Sequence, residues 1–418
     1  MNFALPSADV VPSRFPLKEA RVIASDHEAI AVAKELALQI APGSIERDRS
    51  GTLPLAELEA LGSSGLLALL VPRDHGGAGV SWVTLTEVIR ILSAADSSIG
   101  QLQQNHNQFV HSIVELGTES QKRFFFDALL SGARFGNAIS ERGTRHPLDL
   151  RTTLTPDPDG GYRVTGQKFY ATGAYTAQWI PVFAKTHGLP EVEDGTQVVL
   201  YVPRDAEGIS AALDWTAFGQ RSTVSGTVSL NNVHVEDEWV LKTAWTNTDP
   251  STNSAAGQII HTAIDVGIAE AALAEAGDLV SRYARPYWET GFEKATQDPD
   301  VISLFGRLRV QLDAATALLN DAAKKLDRAE IDKRRDNVDA ARLAVAGAKA
   351  FISELVLSLT TAIFDVGGAS GADARFGLDR HWRNARTHTL HDPARWKYRH
   401  IGNFLINGIA PAPDNQWI

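Results

Sequence analysis

Between Asp379 and Tyr398 the chain sets His381, His388 and His391 among Arg380, Arg383, Arg386 and Arg395, with Trp382 and Trp396 between them. Polar groups at this density are costly to bury without partners, which marks the segment as a candidate site. His388 and His391 stand three residues apart, on one face if the segment is helical. Such a pair can ligate a metal, form a structural hydrogen-bonded pair, or handle protons near neutral pH. No third ligand stands at a recognisable metal spacing, and proton handling is the preferred reading.

A second set surrounds a change in composition. Phe135-Gly136-Asn137-Ala138-Ile139-Ser140-Glu141 offers an amide and a hydroxyl, and Gly166–Gly173 ends in Ala171-Thr172-Gly173. Asp214-Trp215, with Phe218 and Gly219-Gln220-Arg221, adds an aromatic and a cation. Singly these are ordinary strand-end hydrogen bonders. Together they suit a planar polar heterocycle, which needs donors and acceptors along one edge and an aromatic wall. His106, in Gln103-Gln104-Asn105-His106-Asn107, reads by itself as an exposed or capping residue just after a helical run.

Other chemistries lack their motifs. No Gly-x-Gly-x-x-Gly follows a strand, and neither Gly-x-x-x-x-Gly-Lys-Ser/Thr nor His-Glu-x-x-His occurs. Gly76-Gly77-Ala78-Gly79 reads as a turn between helices. Cys is absent, so thiol and thiolate-metal chemistry are excluded. A net charge of −10 disfavours nucleic acid as the main partner. No run of about 18 apolar residues or secretory leader is visible, so a soluble cytoplasmic protein is expected, with no membrane contact.

The 418 residues, 44% hydrophobic and 22% charged, are enough for several domains. After an N-terminal arm (1–21), a helical domain is expected over 22–136, with helices at Ala29–Ile40, Glu57–Leu70, Leu85–Ala95 and Gln121–Leu130. Residues 137–245 read as a β domain. Its strands are Thr152–Thr155, Tyr162–Thr165, Pro181–Thr186, Gln197–Val202 and Thr227–Val235, with turns at Asp157–Gly161 and Asn231-Asn232. They are too close for intervening helices, so a mostly antiparallel barrel or sandwich is predicted. Residues 246–418 return to long amphipathic helices. Leu308, Leu312, Ala315, Leu319, Ala322 and Leu326 make one core stripe, and Phe351, Leu355, Leu359 and Ile363 a second, as in a four-helix bundle. The fold class is α+β, mainly α.

That order, with the segments above and Gln258-Ile259-Ile260-His261, Ala284-Arg285-Pro286 and Trp396-Lys397-Tyr398, resembles the acyl-CoA dehydrogenase superfamily from about Val22 to Ile418. Within it the chain is most similar to sulfur-acquisition oxidoreductases of the SfnB type and to dibenzothiophene monooxygenases. Arg-Thr-His-Thr-Leu-His-Asp-Pro is the most specific match. The resemblance implies a flavin between the β domain and the bundle. Asn137 and Ser140 match positions facing its ring, Thr172 the hydroxyl near N5, Trp215 a pocket wall, and Arg285 the basic residue on a flavin phosphate. It also implies a homotetramer whose sites are shared between subunits.

His391 falls where the dehydrogenases carry their glutamate base. An imidazole suits α-proton abstraction less well than handling a proton where reduced flavin meets oxygen. The expected function is therefore a monooxygenase that takes reduced FMN from a separate flavin reductase and uses O2 to oxygenate a small organosulfur compound. His391 and His388 would handle protons, while His106, Thr172 and Trp215 shape the pocket. The turn Gly367–Gly371 lacks an Arg that some sulfur monooxygenases carry, which keeps FAD as the alternative cofactor. Two other functions remain open: an FAD-dependent acyl-CoA dehydrogenase with a relocated base such as Glu270, and a non-catalytic oligomeric scaffold that kept the fold.

Overall fold

In the computed structural model, which describes residues 20–190, 192–242, 249–413, 415 and 417–418, six helices come first: α1 (Asp26–Ile40), α2 (Ser44–Ser50), α3 (Leu55–Ser63), α4 (Trp82–Ala95), α5 (Ser97–Leu116) and α6 (Glu119–Leu130). Their starts follow from capping. Ser25, Ser81 and Thr118 each accept a first-turn N–H, and Asp96 accepts those of Ser98 and Ile99. The expected helix over Glu57–Leu70 is broken. Gly65 adopts φ +82°, and a Cβ there would sit 2.1 Å from the Arg21 carbonyl oxygen, so α3 stops and a 3₁₀ turn at Leu66–Ala68 follows. Nearly all of the N-terminal arm lies outside the described residues.

Helix α5 carries an apolar stripe of Ile99, Leu102, Phe109, Val110 and Ile113, interrupted by a run of amides that is itself buried. It packs against α4, α6 and the later helix α7 (Asn253–Arg282), and it encloses Gln103, Gln104, Asn105, His106, Asn107 and His111. His106 therefore lies inside a helix and is 1% exposed, not the surface residue its neighbours suggested.

Six strands follow: β1 (Thr153–Pro156), β2 (Tyr162–Ala171), β3 (Trp179–Thr186), β4 (Gln197–Pro203), β5 (Ile209–Ala211) and β6 (Gly226–Val235). They form one sheet in the order β4-β3-β1-β2-β6-β5, antiparallel except for the β1–β3 pair. Its core includes Leu154, Val164, Val182, Leu200, Leu230 and Val233. Asn231-Asn232 is not a turn. It is a bulge inside β6, where Asn232 takes φ +51° and its N–H meets Thr165 Oγ1.

Three long helices, α7, α8 (Pro299–Ile331) and α9 (Arg335–Gly371), build the C-terminal block, and the shorter α10 (Asp379–His388) and α11 (Ala394–Asn407) pack along α9. The Leu308–Leu326 stripe is buried as expected. In α9 the every-fourth stripe fails at Phe351, which is 39% exposed, because steps of four drift around a 3.6-residue turn. Helix α9 is long and apolar enough to cross a membrane, but 61% of its most apolar stretch is buried within the fold, as in a core helix. The segment 243–248, where the β domain was expected to end, lies outside the described residues.

Candidate active site

The β-domain half of the site begins at a second bulge. The β2–β6 register shifts between Lys168 and Ala171, and Tyr170 takes φ +61°. The shift delivers Thr172, just past the strand, toward Ser225, whose Oγ is 2.8 Å from Thr172 Oγ1 and 2.8 Å from Thr223 Oγ1. Thr223 Oγ1 and Trp215 Nε1 both donate to the Gln220 carbonyl at 2.8 Å. Asp214 anchors the turn before Trp215 by accepting from the N–H and hydroxyl of Thr227. On the other side the Asn137 N–H donates to the Thr172 carbonyl at 3.1 Å. Asn137, Thr172 and Trp215, distant in sequence, thus belong to one hydrogen-bonded network. Gln220 and Val224 also carry positive φ, +51° and +49°, which costs of order 1–3 kcal/mol for a β-branched residue. Strain of this kind persists only where surrounding structure enforces it.

The network crosses to the bundle through Gln220, whose N–H donates to Asn384 Oδ1 on α10 at 2.6 Å. At the end of α10, His388 Nδ1 lies 2.5 Å from Asp265 Oδ1, and its Nε2 lies 2.8 Å from His261 Nδ1. Lys349 Nζ stands 3.5 Å from the other Asp265 oxygen. His391 is not on the same helix face as His388. It lies in the turn between α10 and α11, its N–H bonded to the His388 carbonyl and its ring centroid 4.1 Å from that of His261. Its Nδ1 is 3.2 Å from Asp392 Oδ1, and Lys397 holds the other Asp392 oxygen at 2.5 Å. His388 and His261 are buried, whereas the His391 side chain is 41% exposed. Of the cluster's three rings, only that of His391 is open to solvent.

Burial pushes His388 below the ordinary imidazole range, Asp265 opposing and Lys349 adding to the shift. Burial drives His261 lower still, helped by His391, Lys349 and His388. Burial alone would raise Asp392, but His391, Lys349 and Lys397 outweigh it and hold it far below the carboxylate range. The cluster therefore keeps its carboxylates ionised and its buried rings neutral near pH 7.

Two sequence expectations change. His106 donates from Nε2 to the Leu67 carbonyl (2.7 Å) and accepts at Nδ1 from the Phe135 N–H (3.1 Å), which leaves no ring nitrogen for a substrate. Burial lowers it to about 4. It pins the chain where the N-terminal domain meets the sheet, and it lines a small cavity with Leu102, Phe135 and Gly173. Glu270 is tied to Arg90 on α4 and stands in no contact with the histidine cluster. Ser140 is half-buried beside the Phe169 N–H, which its carbonyl accepts. Arg285 is exposed in the loop after α7. His261, Asp265, Lys349, Asp392 and Lys397 were not singled out in the sequence as site residues. The available signal was His261 and Asp265 at i and i+4 on an Ala-rich helix, where a polar pair has no surface to face.

A flavin's ring edge needs amide and hydroxyl partners, and several buried groups lack one within the chain. They are Asn137 Oδ1, both ends of the Gln220 side-chain amide, Gln258 Oε1 and Thr387 Oγ1. Gln220 and Asn137 belong to the network around Thr172, and Gln258 lies one turn before His261, so this donor and acceptor set fits a flavin.

Residues 26–133, 136–233 and 259–396 match the N-terminal, middle and C-terminal domains of acyl-CoA dehydrogenase. The chain is 34% identical to a dibenzothiophene monooxygenase of Rhodococcus qingshengii over 93% of this chain and 96% of that protein. It is 32% identical to a probable FMNH2-dependent monooxygenase, SfnC, of Pseudomonas putida over 92% and 96%. The FMN-bound structure of TdsC from Paenibacillus sp. A11-2 superposes with a TM-score of 0.88 at 36% identity, covering 94% of this chain and all of that one. The chain belongs to the acyl-CoA dehydrogenase superfamily, in the branch that contains the dibenzothiophene monooxygenases.

Proposed function

We propose that the protein is a flavin-dependent monooxygenase that uses reduced FMN and O2 to oxygenate a small organosulfur compound. The observation that carries this reading is the ring cluster at the end of α10. A solvent-accessible imidazole, His391, is oriented by Asp392 and backed by His261 and His388, at the position where the resemblance implies that the dehydrogenases carry a carboxylate base. Bound reduced FMN supplies the electrons that activate O2. Asn137, Ser140, Thr172 and Trp215 would hold the ring, and Arg285 would hold the phosphate.

Asp392 accepts from His391 Nδ1–H, which leaves Nε2 to give or take the proton. The buried His261–His388–Asp265 run fixes the rings behind it. The dehydrogenase alternative needs a free carboxylate base, and Glu270, engaged by Arg90, does not supply one. The enzyme works in the cytoplasm as a homotetramer and receives reduced FMN from a separate flavin reductase.

The test mixes the protein anaerobically with reduced FMN and then adds O2 with dibenzothiophene or methanesulfinate. S-oxygenated product that requires both reduced FMN and O2 is expected. Anaerobic reduction of an electron acceptor by acyl-CoA, or failure to bind any flavin, contradicts the reading.

A further inference from the structure

Asp265 and Lys349 lie in the middle of α7 and α9, the former 0% and the latter 2% exposed in their side chains. Lys349 Nζ has no hydrogen-bond partner, and neither does the Asp265 oxygen facing it, because 3.5 Å is too wide for a good bond. As a stabilising element this pair is poor. Two ions have been taken out of water without the close geometry that repays their desolvation, and apolar side chains of similar volume would serve the bundle as well or better. The other Asp265 oxygen is engaged tightly, at 2.5 Å, by His388 Nδ1.

We infer that Asp265 and Lys349 are positioning residues that set the proton content of the His388–His261 pair, and through its charge the readiness of His391 to hold a proton. Asp265 fixes the proton on His388 Nδ1, which turns Nε2 toward His261 Nδ1 at 2.8 Å. One proton then lies between the two rings. Lys349 offsets part of the Asp265 charge, so the pair does not gain a second proton. His391 makes no hydrogen bond to His261 but lies against its ring, centroids 4.1 Å apart, where a cation on the buried pair would repel a proton. The charged and titratable groups facing the pair come from every neighbouring element. They are Asp265 from α7, Lys349 from α9, His391 and Asp392 from the turn, and Lys397 from α11.

The two substitutions have opposite signs. Lys349→Gln removes a cation and raises the pH at which the buried His388–His261 pair gains its second proton. Asp265→Asn removes an anion and lowers it. Each shift is about one pH unit, the scale of one charge a few ångströms away in a protein interior. Lys349→Arg keeps the charge and restores the unmutated titration.

The experiment follows the histidine ring resonances of the flavin-free protein by NMR against pH, His391 being assigned by its loss in His391→Gln. Oxygen-dependent turnover of the same variants is measured alongside. Opposite displacements of His391 in Lys349→Gln and Asp265→Asn, with restoration in Lys349→Arg, are the expected result. Displacements of one sign, or a lowered melting temperature with an unmoved titration, overturn the inference and leave a structural pair. If neither charge-removing variant folds, the unmutated protein decides. A proton fixed on His388 Nδ1 and a pair titrating below the free imidazole range supports the inference, and two independent rings titrating near 6.5 overturn it. The role assigned to His391 in turnover rests on the monooxygenase reading. The flavin-free titration does not, so the two can fail separately.

Discussion

His388 Nε2 lies 2.8 Å from His261 Nδ1, which joins two imidazoles on different helices, 127 residues apart in the chain. The contact ties the end of α10 to the middle of α7. Because α10 also holds the Gln220 N–H through Asn384, one short helix connects the sheet-borne and bundle-borne halves of the site. A change at either end of α10 is therefore felt in both halves.

Removing the His106 ring leaves the Phe135 N–H and the Leu67 carbonyl without their partners inside the fold. His106→Ala should cost about 2–5 kcal/mol of stability, the sum of two unmet buried groups and a cavity. Denaturant unfolding measures it, and activity should decline only with the folded fraction.

The same residue makes stability fall in acid. Its folded pKa of about 4 lies below the unfolded 6.5, so the unfolded chain binds more protons between those values. Stability falls by about 3 kcal/mol as pH drops through that window. His111, five residues on, has the opposite sign. Burial alone would lower it, but Glu330 and Glu115 raise it, so its contribution is present below 6.5 and is lost as pH rises through the folded value. The stability deficit of His111→Gln should therefore be larger at pH 6 than at pH 9, as urea unfolding at the two values will show.

Asn137→Ala separates binding from folding. Asn137 Oδ1 is buried with no partner in the chain, so losing it should leave the melting temperature within a degree or two. FMN affinity should fall about 10-fold, as for one hydrogen bond of about 1.4 kcal/mol. Equal losses in both would make Asn137 a structural residue.

Arg285→Ala should weaken FMN binding about 10- to 150-fold by removing a charge-assisted phosphate contact of about 1.5–3 kcal/mol. Its side chain is exposed in the loop after α7, so folding should be untouched. A fluorescence titration with unchanged affinity removes the assignment.

The three-block order and most strands were legible because period and turn chemistry are local. The Leu308–Leu326 stripe and the Thr/Val-rich strands needed no partner to be read. Helix α5 was not legible as an element, because Gln103 to Asn107 interrupts its apolar stripe and looks like a surface patch although those side chains are buried. Likewise His388 and His391 were visible in one dense segment. Asp265 and Lys349 were not, since each is one charge among several on a long helix and gains meaning only when α7, α9 and α10 meet.

Turnover of His391→Ala tests the central claim most directly. With reduced FMN supplied, O2 present and an organosulfur substrate, product formation should fall about 10²–10⁴-fold, the range for an acid–base group. Melting temperature and FMN affinity should stay at the unmutated values, because the His391 side chain is 41% exposed and its ring bonds only to the adjacent Asp392. A folded, flavin-binding His391→Ala protein with near-normal product formation would contradict the account.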